Sequence, residues 1–280
     1  MSAIHPTAII DPRAQLAPDA SVGAYTIIKG PVTIGPASQI GEHCVLQGAT
    51  VIGRNCKIGP AAYVGMDPQH LKFVADEANP TYLMIGDDVH IRESARLHRS
   101  TKPGREHATR IGDRCFIMGA AHVAHDCVLA DDVVLADAVL LGGHCQIGPK
   151  TFMGGGAKAH QFVRIGRLCI IAGNEGFGSD VPPFAAVRYG RLKGYNAIGC
   201  RRAGMSREAI TAIRGVYQRL RAHRVTSTAL AAIRAEVPDL PEVREIVEFI
   251  RTSRRGIVSP HHGVQQAAPV DTDDAESLDD

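Results

Sequence analysis

The sequence predicts a mainly β protein, a parallel β-helix of hexapeptide repeats followed by a C-terminal α-helical domain. Aliphatic residues recur every six positions over most of the first 177 residues. The six-residue pattern then stops near position 184 and gives way to the i, i+3, i+4 spacing of helices. Glycine is frequent, with 29 residues, aromatic residues make up only 5%, and tryptophan is absent. Small and β-branched side chains must therefore fill the core.

The repeat runs through three stretches of the chain. Eleven aliphatic residues in a row are spaced by six between positions 4 and 64. The spacing resumes over 85–97 and again over 111–177. A six-residue unit that supplies one short strand and one turn is typical of β-helices in which three units close a triangular coil. Residues 1–185 are therefore predicted to form the β-helix.

Cysteines follow the repeat. The residue four places after each aliphatic is usually small, and six of the seven cysteines occupy this slot: Cys44, Cys56, Cys115, Cys127, Cys145 and Cys169. We expect them to be buried small hydrophobic residues, neither bridged nor bound to metal. An odd cysteine count and an N-terminus without secretory features favour reduced thiols and a cytoplasmic location.

Two interruptions of the repeat, 65–84 and 98–110, are predicted to be loops extruded from the coil. Loops on a rigid scaffold are common sites of function. The coil also leaves two exposed ends, which must be capped, and such solenoids commonly oligomerise.

A helical domain is predicted over residues 186–260. The run SREAITAIRGVYQRLRAHR has apolar residues at helical spacing, and Ser206 is suited to cap its N-terminus. Shorter helices are expected around 228–236 and 241–252, with Pro241 in the first turn of the second.

Charge is distributed unevenly over the C-terminal part. Ten Lys or Arg lie between positions 188 and 224 against the single acid Glu208, whereas the whole chain has a net charge of +2. This excess favours phosphates or an acidic protein partner. Nucleic acid is not expected, because aromatic residues for base stacking are scarce, and no apolar run is long enough for membrane insertion.

Residues 261–280 end in the acidic VDTDDAESLDD and are predicted to be disordered.

The repeat also serves as a ruler, because residues 18 apart lie in register on neighbouring coils. His125 then shares a column with Gly143 and Gln161, at about 5 and 10 Å along the axis. Asp126 lies next to His144. The spacing gathers polar side chains around one edge of the prism: His122, His125, Asp126, His144, His160 and Gln161.

His125 is interpreted as a general base. Imidazole accepts a proton readily near neutral pH, and a neighbouring carboxylate, Asp126, can fix its tautomer and stabilise the imidazolium. An isolated turn histidine would more often be solvated. The shared column favours the functional interpretation.

Several motifs occur in the order in which a known family has them. They are PQHLKF (68–73), IRESARLHRST (91–101), AHVAHDC (121–127), GGHCQIG (142–148), AHQFVRIG (159–166), DVPPFA (180–185), NAIGCRRAG (196–204) and SREAITAIR (206–214). With these motifs the sequence resembles the bacterial acyl-[acyl carrier protein]:UDP-N-acetylglucosamine O-acyltransferases, which catalyse the first step of lipid A biosynthesis. The resemblance spans roughly residues 1–260 and implies a left-handed coil.

The resemblance also implies a mechanism and partners. By this resemblance, His125 is expected to be the general base for the glucosamine 3-hydroxyl, with Asp126 supporting it, and the Gly143 N–H is expected to stabilise the oxyanion of the thioester intermediate. No metal or other cofactor is implied, because the acyl group arrives on the phosphopantetheine of acyl carrier protein. The resemblance further implies an active site between the subunits of a homotrimer. Substrate-binding roles are implied for Gln69, Lys72, His122, His144, His160, Gln161, Asn196 and Arg202.

The sequence departs from the family pattern around the acceptor. The family usually has other residues where this chain has His70, Ser100, Ala120, Asp137, Ala138, Ile198 and Ala203. The acceptor that the resemblance implies is therefore UDP-N-acetylglucosamine or a close analogue, including a 3-amino sugar. The length of the acyl chain is not indicated by the sequence.

Two alternatives remain open at this point. The departures suit a diverged scaffold that binds nucleotide sugars or carrier protein without turnover. The histidines suit a zinc enzyme like the carbonic anhydrases of this fold, since neutral imidazole is a good zinc ligand. Those enzymes pair two histidines five apart, whereas His122 and His125 are three apart, so we expect no metal.

Overall fold

The structure, a computed structural model, describes residues 4–261. The strands of its first half are β1 (Ile9–Ile10), β2 (Gln15–Leu16), β3 (Ser21–Val22), β4 (Ile27–Lys29), β5 (Thr33–Ile34), β6 (Gln39–Ile40), β7 (Val45–Gln47), β8 (Ala49–Ile52), β9 (Lys57–Ile58), β10 (Tyr63–Met66), β11 (Tyr82–Ile85), β12 (His90–Ile91), β13 (Arg96–His98) and β14 (Thr109–Ile111). Those that follow are β15 (Phe116–Ile117), β16 (His122–Val123), β17 (Val128–Leu129), β18 (Val134–Leu135), β19 (Leu140–Leu141), β20 (Gln146–Ile147), β21 (Phe152–Met153), β22 (Lys158–Ala159), β23 (Arg164–Ile165), β24 (Ile170–Ile171), β25 (Gly176–Phe177), β26 (Ala185–Arg188) and β27 (Arg191–Tyr195).

These strands form three sheets within the described residues, one for each side of a triangular prism. They have nine, eight and ten strands, and every third strand of the coil belongs to the same sheet. Where the repeat is uninterrupted, paired residues are 18 apart, as in Ile9 with Ile27 and Val128 with Gln146. The repeat unit of three hexads per coil is thus confirmed, and the coil is left-handed.

The repeating aliphatic residues point inward and form the core. Val64, Leu97, Ile117 and Leu135 have no exposed surface. All seven cysteines are free and buried, as the repeat predicts. Burial raises the pKa of the Cys115 and Cys169 thiols to about 12, so these thiols stay protonated and unreactive.

One edge of the prism carries both interruptions of the repeat. The segments 67–81 and 99–108 lie between strands of the nine-stranded and eight-stranded sheets, so both leave the coil at the edge that joins these sheets. We call it the loop edge. The flanking strands take up the outer residues of the predicted loops 65–84 and 98–110. Arg99 ties the two segments together, donating to the Gly65 carbonyl at 2.7 Å and pairing with Asp67.

The sequence predicted a helical domain from residue 186, but the structure has two further strands, β26 and β27, before the first helix. β26 pairs in parallel with β24, and β27 returns antiparallel to it, so a hairpin extends the ten-stranded sheet to Tyr195. The last coil has no further hexad above it, and this hairpin supplies backbone partners for its open edge.

In the described part of the chain, four α-helices follow the hairpin: α1 (Ala197–Arg202), α2 (Arg207–Ala222), α3 (Thr226–Glu236) and α4 (Pro241–Arg251). Ser206 caps α2 by accepting from the Ala209 N–H at 3.1 Å, and Pro241 opens α4, both as predicted. α1 was not predicted. Asp180, nearly fully buried, joins the coil to the helices because it accepts from Arg164 at 3.0 Å and from Ser253 at 2.8 Å.

Within residues 4–261, no helix combines the length and apolar character needed to cross a bilayer. The segment predicted as a disordered acidic tail lies, apart from His261, outside the described residues.

Candidate active site

Successive turns of the coil stack polar residues along the loop edge. The turns that join β16 to β17, β19 to β20 and β22 to β23 all lie on this edge, in register. Asp126, His144 and Phe162 occupy the same place in these turns, each with a left-handed φ near 60°. The repeat therefore places the residues before them, including His125 and Gly143, in one column.

His125 and Asp126 form a nearly buried pair. The His125 Nδ1 donates to Asp126 Oδ2 at 2.8 Å, and the two side chains are 10% and 11% exposed. The second extruded loop holds the carboxylate from the other side, because Thr101 donates its N–H at 3.1 Å and its hydroxyl at 2.8 Å. The Asp126 N–H in turn donates to Thr109 Oγ1 at 2.8 Å. Each member is thus fixed by a neighbouring coil or loop.

The environment keeps Asp126 ionised. Burial acts to raise its pKa, but the hydrogen bonds from His125 and Thr101 outweigh burial, and the pKa lies below its usual value. An ionised carboxylate can only accept, so the proton on the His125 ring resides on Nδ1. Nε2 is then the basic nitrogen, oriented away from Asp126.

Gly143 packs against the His125 ring on the next coil. A Cβ placed on Gly143 would lie 2.6 Å from Cε1 and 2.9 Å from Nε2 of that ring, so only glycine allows this approach. Within residues 4–261 the Gly143 N–H donates no hydrogen bond. A main-chain donor is therefore available beside the basic nitrogen.

His144 completes this cluster on its outer side. Its Nε2 lies 3.6 Å from Asp126 Oδ2, its ring centroid is 5.3 Å from that of His125, and it stacks on Phe162 at 4.5 Å. Burial lowers the pKa of His144 despite the nearby carboxylate. Neutral His144 can donate to or accept from a bound polar group.

A second pair of histidines, His98 and His122, lies beside the first. Their ring centroids are 5.0 Å apart, and neither Nε2 has a hydrogen-bond partner within residues 4–261. His98 Nδ1 is 2.7 Å from the Asp67 carbonyl. Burial lowers the pKa of His122 to about 4 and also lowers that of His98. Two neutral imidazoles with unpaired nitrogens are suited to bind polar groups of a ligand.

The first extruded loop reaches the same place. The His70 ring lies edge-on to His125, with centroids 5.9 Å apart. Gln69 and Lys72 flank it on the surface and form no hydrogen bond or ion pair with other described residues. They are therefore positioned at the margin of the cluster, with their polar ends exposed.

Toward the C-terminal end of the coil, the column continues to His160 and Gln161. Gln161 is half-buried, one coil above Gly143, as the 18-residue register requires. His160 is exposed, and its Nδ1 lies 3.3 Å from an Arg255 guanidinium nitrogen. The upper end of the column thus meets the C-terminal segment of the chain.

The chain is similar in sequence and in fold to known acyltransferases. Residues 180–258 match the family model described as "Udp N-acetylglucosamine O-acyltransferase; Domain 2", and residues 31–65 match "Bacterial transferase hexapeptide (six repeats)". A similar protein from Thermodesulfovibrio yellowstonii, named acyl-[acyl-carrier-protein]--UDP-N-acetylglucosamine O-acyltransferase, is 38% identical over 92% of this chain and 99% of its own. This chain belongs to the UDP-N-acetylglucosamine O-acyltransferase family.

Solved structures of family members have the same fold. The UDP-N-acetylglucosamine acyltransferase from Bacteroides fragilis superposes with a TM-score of 0.85 at 32% identity, covering 91% of this chain and 99% of its own. The protein from Acinetobacter baumannii gives a TM-score of 0.83 at 37% identity, with the same coverage.

Two residues that the family resemblance assigns to the site lie elsewhere within one chain. Asn196 caps α1, accepting from the Gly199 N–H at 2.9 Å and donating to the Leu168 carbonyl at 2.9 Å. Leu168 is in the turn after β23, on the edge between the eight-stranded and ten-stranded sheets. Asn196, and with it the exposed Arg202 of the same short helix, is therefore on a different edge from His125.

The site includes residues that the sequence did not single out. His98 and Thr101 follow an interruption of the repeat, where counting by 18 no longer gives the register. The only sequence signal for them is their place in the motif IRESARLHRST.

Three of the residues that depart from the family pattern lie on another edge of the prism. Ala120 and Ala138, both with a left-handed φ, are on the edge between the ten-stranded and nine-stranded sheets, and Asp137 there accepts from the Gly119 N–H at 2.9 Å.

The cluster could also hold a metal ion. Among the described residues, one ligand atom each from His125, Asp126 and His144 lie within 4.8 Å of one another. Imidazole and carboxylate suit zinc. The Nδ1 of His125 is engaged by Asp126, however, so the existing hydrogen bond and a shared metal would compete for the same atoms.

Proposed function

We propose that this protein transfers a 3-hydroxyacyl group from acyl carrier protein to the 3-position of UDP-N-acetylglucosamine or a close analogue, the first step of lipid A biosynthesis. The observation that carries the proposal is the nearly buried His125–Asp126 pair packed against Gly143. Membership of the acyltransferase family supports the same reaction.

The geometry supports a general-base mechanism. Nε2 of His125 removes the proton from the acceptor 3-hydroxyl while its oxygen attacks the thioester carbon. The Gly143 N–H stabilises the negative charge on the carbonyl oxygen of the tetrahedral intermediate. The C–S bond then breaks, and the imidazolium returns the proton to the departing thiolate. Asp126 stabilises the imidazolium between these steps and keeps the ring oriented.

Substrate binding is assigned to polar residues around this pair. We propose that the acceptor contacts Gln69 and Lys72 on the first extruded loop, and that His122, His144, His160 and Gln161 position it. Asn196 and Arg202 would contact the nucleotide. The capping bonds of Asn196 use one of its two Nδ2 hydrogens and one of the two lone pairs of Oδ1, so the second of each can contact the nucleotide.

A homotrimer would bring these residues together. Within one chain Asn196 and His125 lie on different edges of the prism, so one site can use both only if they come from different chains. The outer face of the ten-stranded sheet has an apolar column suited to a subunit contact, namely Phe116, Val134, Phe152 and Ile170. Phe152 and Ile170 are each 39% exposed in the single chain.

Acyl carrier protein is the proposed donor. The excess of basic residues between positions 188 and 224 suits an acidic protein, and no resident metal or cofactor is needed for the acyl transfer. We place the reaction in the cytoplasm, and the seven free, buried cysteines are compatible with a reducing compartment.

A substrate panel tests the proposal. Purified protein should acylate UDP-N-acetylglucosamine or its 3-amino analogue with a 3-hydroxyacyl carrier protein, and His125→Ala should abolish turnover while retaining the fold. Equal transfer by His125→Ala would refute the assignment. Calorimetric binding of the sugar nucleotide without turnover on any acceptor would identify a non-enzymatic scaffold instead.

A further inference from the structure

An open groove of about 1240 Å³ separates the coil from the C-terminal helices. One wall is the outer face of the nine-stranded sheet around Leu140 and Lys158. The opposite wall is formed by Tyr189–Arg191, by the junction of α2 and α3 around Arg224, and by residues 257–261. We call it the basic groove.

The charges of the basic groove are all of one sign. Lys158, Arg191 and Arg224 line it, together with four histidines, and no described lining residue is an Asp or Glu. These three cations form no ion pair with other described residues. Other arginines nearby are paired, as Arg167 is with Glu245 and Arg219 is with Glu236, both within 3 Å. The unpaired cations therefore create a local field that favours an acidic ligand.

The chain itself carries such a ligand beside the groove. His261 is a lining residue, and residues 262–280 continue directly from it. This segment contains six acids and no Lys or Arg: Asp271, Asp273, Asp274, Glu276, Asp279 and Asp280. The ten residues from His261 to Asp271 span at most about 35 Å, so the acids can reach every part of the groove. A tethered segment is present at an effective concentration of about millimolar.

We propose that the acidic segment 271–280 of this chain binds in the basic groove. Its carboxylates pair with Lys158, Arg191 and Arg224, and its few apolar residues contact the exposed Tyr189. Exposed pairs are individually weak, so the contact depends on the tether and weakens as salt rises.

Carbodiimide cross-linking of the full chain tests this contact. The reagent activates a tail carboxylate, the Lys158 amine attacks it, and an amide bond forms as the urea leaves. Peptide mass spectrometry should find the tail joined to Lys158 far more often than to Lys57, which lies near the other end of the coil. Combined Arg191→Gln and Arg224→Gln should reduce this cross-link about fivefold, the effect expected from the loss of two exposed charge pairs.

A matched pair of changes provides the control. Arg201→Gln with Arg207→Gln removes the same charge from the same basic stretch, but Arg207 is at the far end of α2, about 20 Å along its axis from Leu220, the first residue of that helix to line the groove. This variant should cross-link like the wild type. A tail that couples equally to Lys57, fails to couple at all, or responds to both variants alike would overturn the proposal.

The kinetic consequence rests on the proposed function. An acidic carrier protein that uses the same groove must displace the tail, so converting the six tail acids to their amides should lower the KM for acyl carrier protein severalfold at low salt. The value of kcat should not change, and the difference should vanish near 0.5 M salt. An unchanged KM would overturn competition for the groove. Cross-linking needs no turnover, so it separates failure of this contact from failure of the acyltransferase assignment.

Discussion

Gly143→Ala would displace the His125 imidazole without removing it, so this variant tests how far catalysis depends on the position of the ring. The new methyl would lie 2.6 Å from His125 Cε1, whereas ordinary contacts begin at 3.4 Å, so the ring must retreat by about 0.8 Å. The Nδ1 to Asp126 hydrogen bond, now 2.8 Å, would then stretch or break. The main-chain N–H of residue 143 remains, so the oxyanion donor is not removed.

A misplacement of this size in a reacting group costs about 10²-fold in rate, and loss of the Asp126 contact adds to it. We therefore expect kcat/KM to fall about 10²–10³-fold, which corresponds to about 3–4 kcal/mol of transition-state stabilisation. The assay is the release of free carrier thiol at saturating acceptor.

Gly155→Ala is the matched control. Gly155 occupies the same place in a turn two hexads later, and its added Cβ would meet only the Asp137 carbonyl at 3.3 Å. This variant should keep activity within a few-fold, and both variants should keep the circular dichroism of the wild type. The reasoning is refuted if Gly143→Ala retains kcat/KM within threefold of the wild type.

The remaining predictions concern the supports of the site. Asp126→Asn should lower kcat about 10²–10⁴-fold, measured by the same thiol assay, because the amide cannot stabilise the imidazolium of His125. The folded-state pKa of His122, about 4, is below the unfolded value of 6.5, so the unfolded state takes up the proton first as pH falls. Apparent stability should be full above pH 6.5, decline by up to about 3 kcal/mol toward pH 4, and decline less in His122→Gln, as measured by thermal unfolding. Asp180→Ala should destabilise the junction of coil and helices by about 3–5 kcal/mol in denaturant titrations, because Arg164 loses its buried partner. Exhaustive chelation should leave turnover unchanged; stoichiometric zinc that is required for activity would contradict the general-base role.

The regular part of the fold was predictable because one rule repeats. Counting by 18 places His125, Gly143 and Gln161 in one column, and the register of the strands around them follows that rule. The same count fails across the two extruded loops, where paired residues are 33 and 26 apart, as in Val64 with Leu97 and Ile85 with Ile111.

Features that depend on irregular backbone could not be predicted from the sequence, because the six-residue repeat gives no register there. The contact of Thr101 with Asp126 and the packing of His98 on His122 depend on how the loops return to the coil. The hairpin that ends at Tyr195 has no six-residue signal, because it serves the open edge of the last coil. The capping role of Asn196 is local to a six-residue helix, too short to show a periodicity.

The core of the triangular coil permits changes in chain length that the active site does not. The core requires only that an aliphatic residue return every sixth position, so inserting or deleting one hexad between Asp126 and Gly143 would preserve every buried contact type. It would also rotate all later residues by one side of the prism and carry Gly143 to another edge. A change of a whole turn of 18 residues would return Gly143 to the loop edge, but one coil farther from His125, at about 10 Å instead of about 5 Å along the axis. The contact between Gly143 and His125 therefore fixes the length of this stretch, a stricter rule than stability alone imposes.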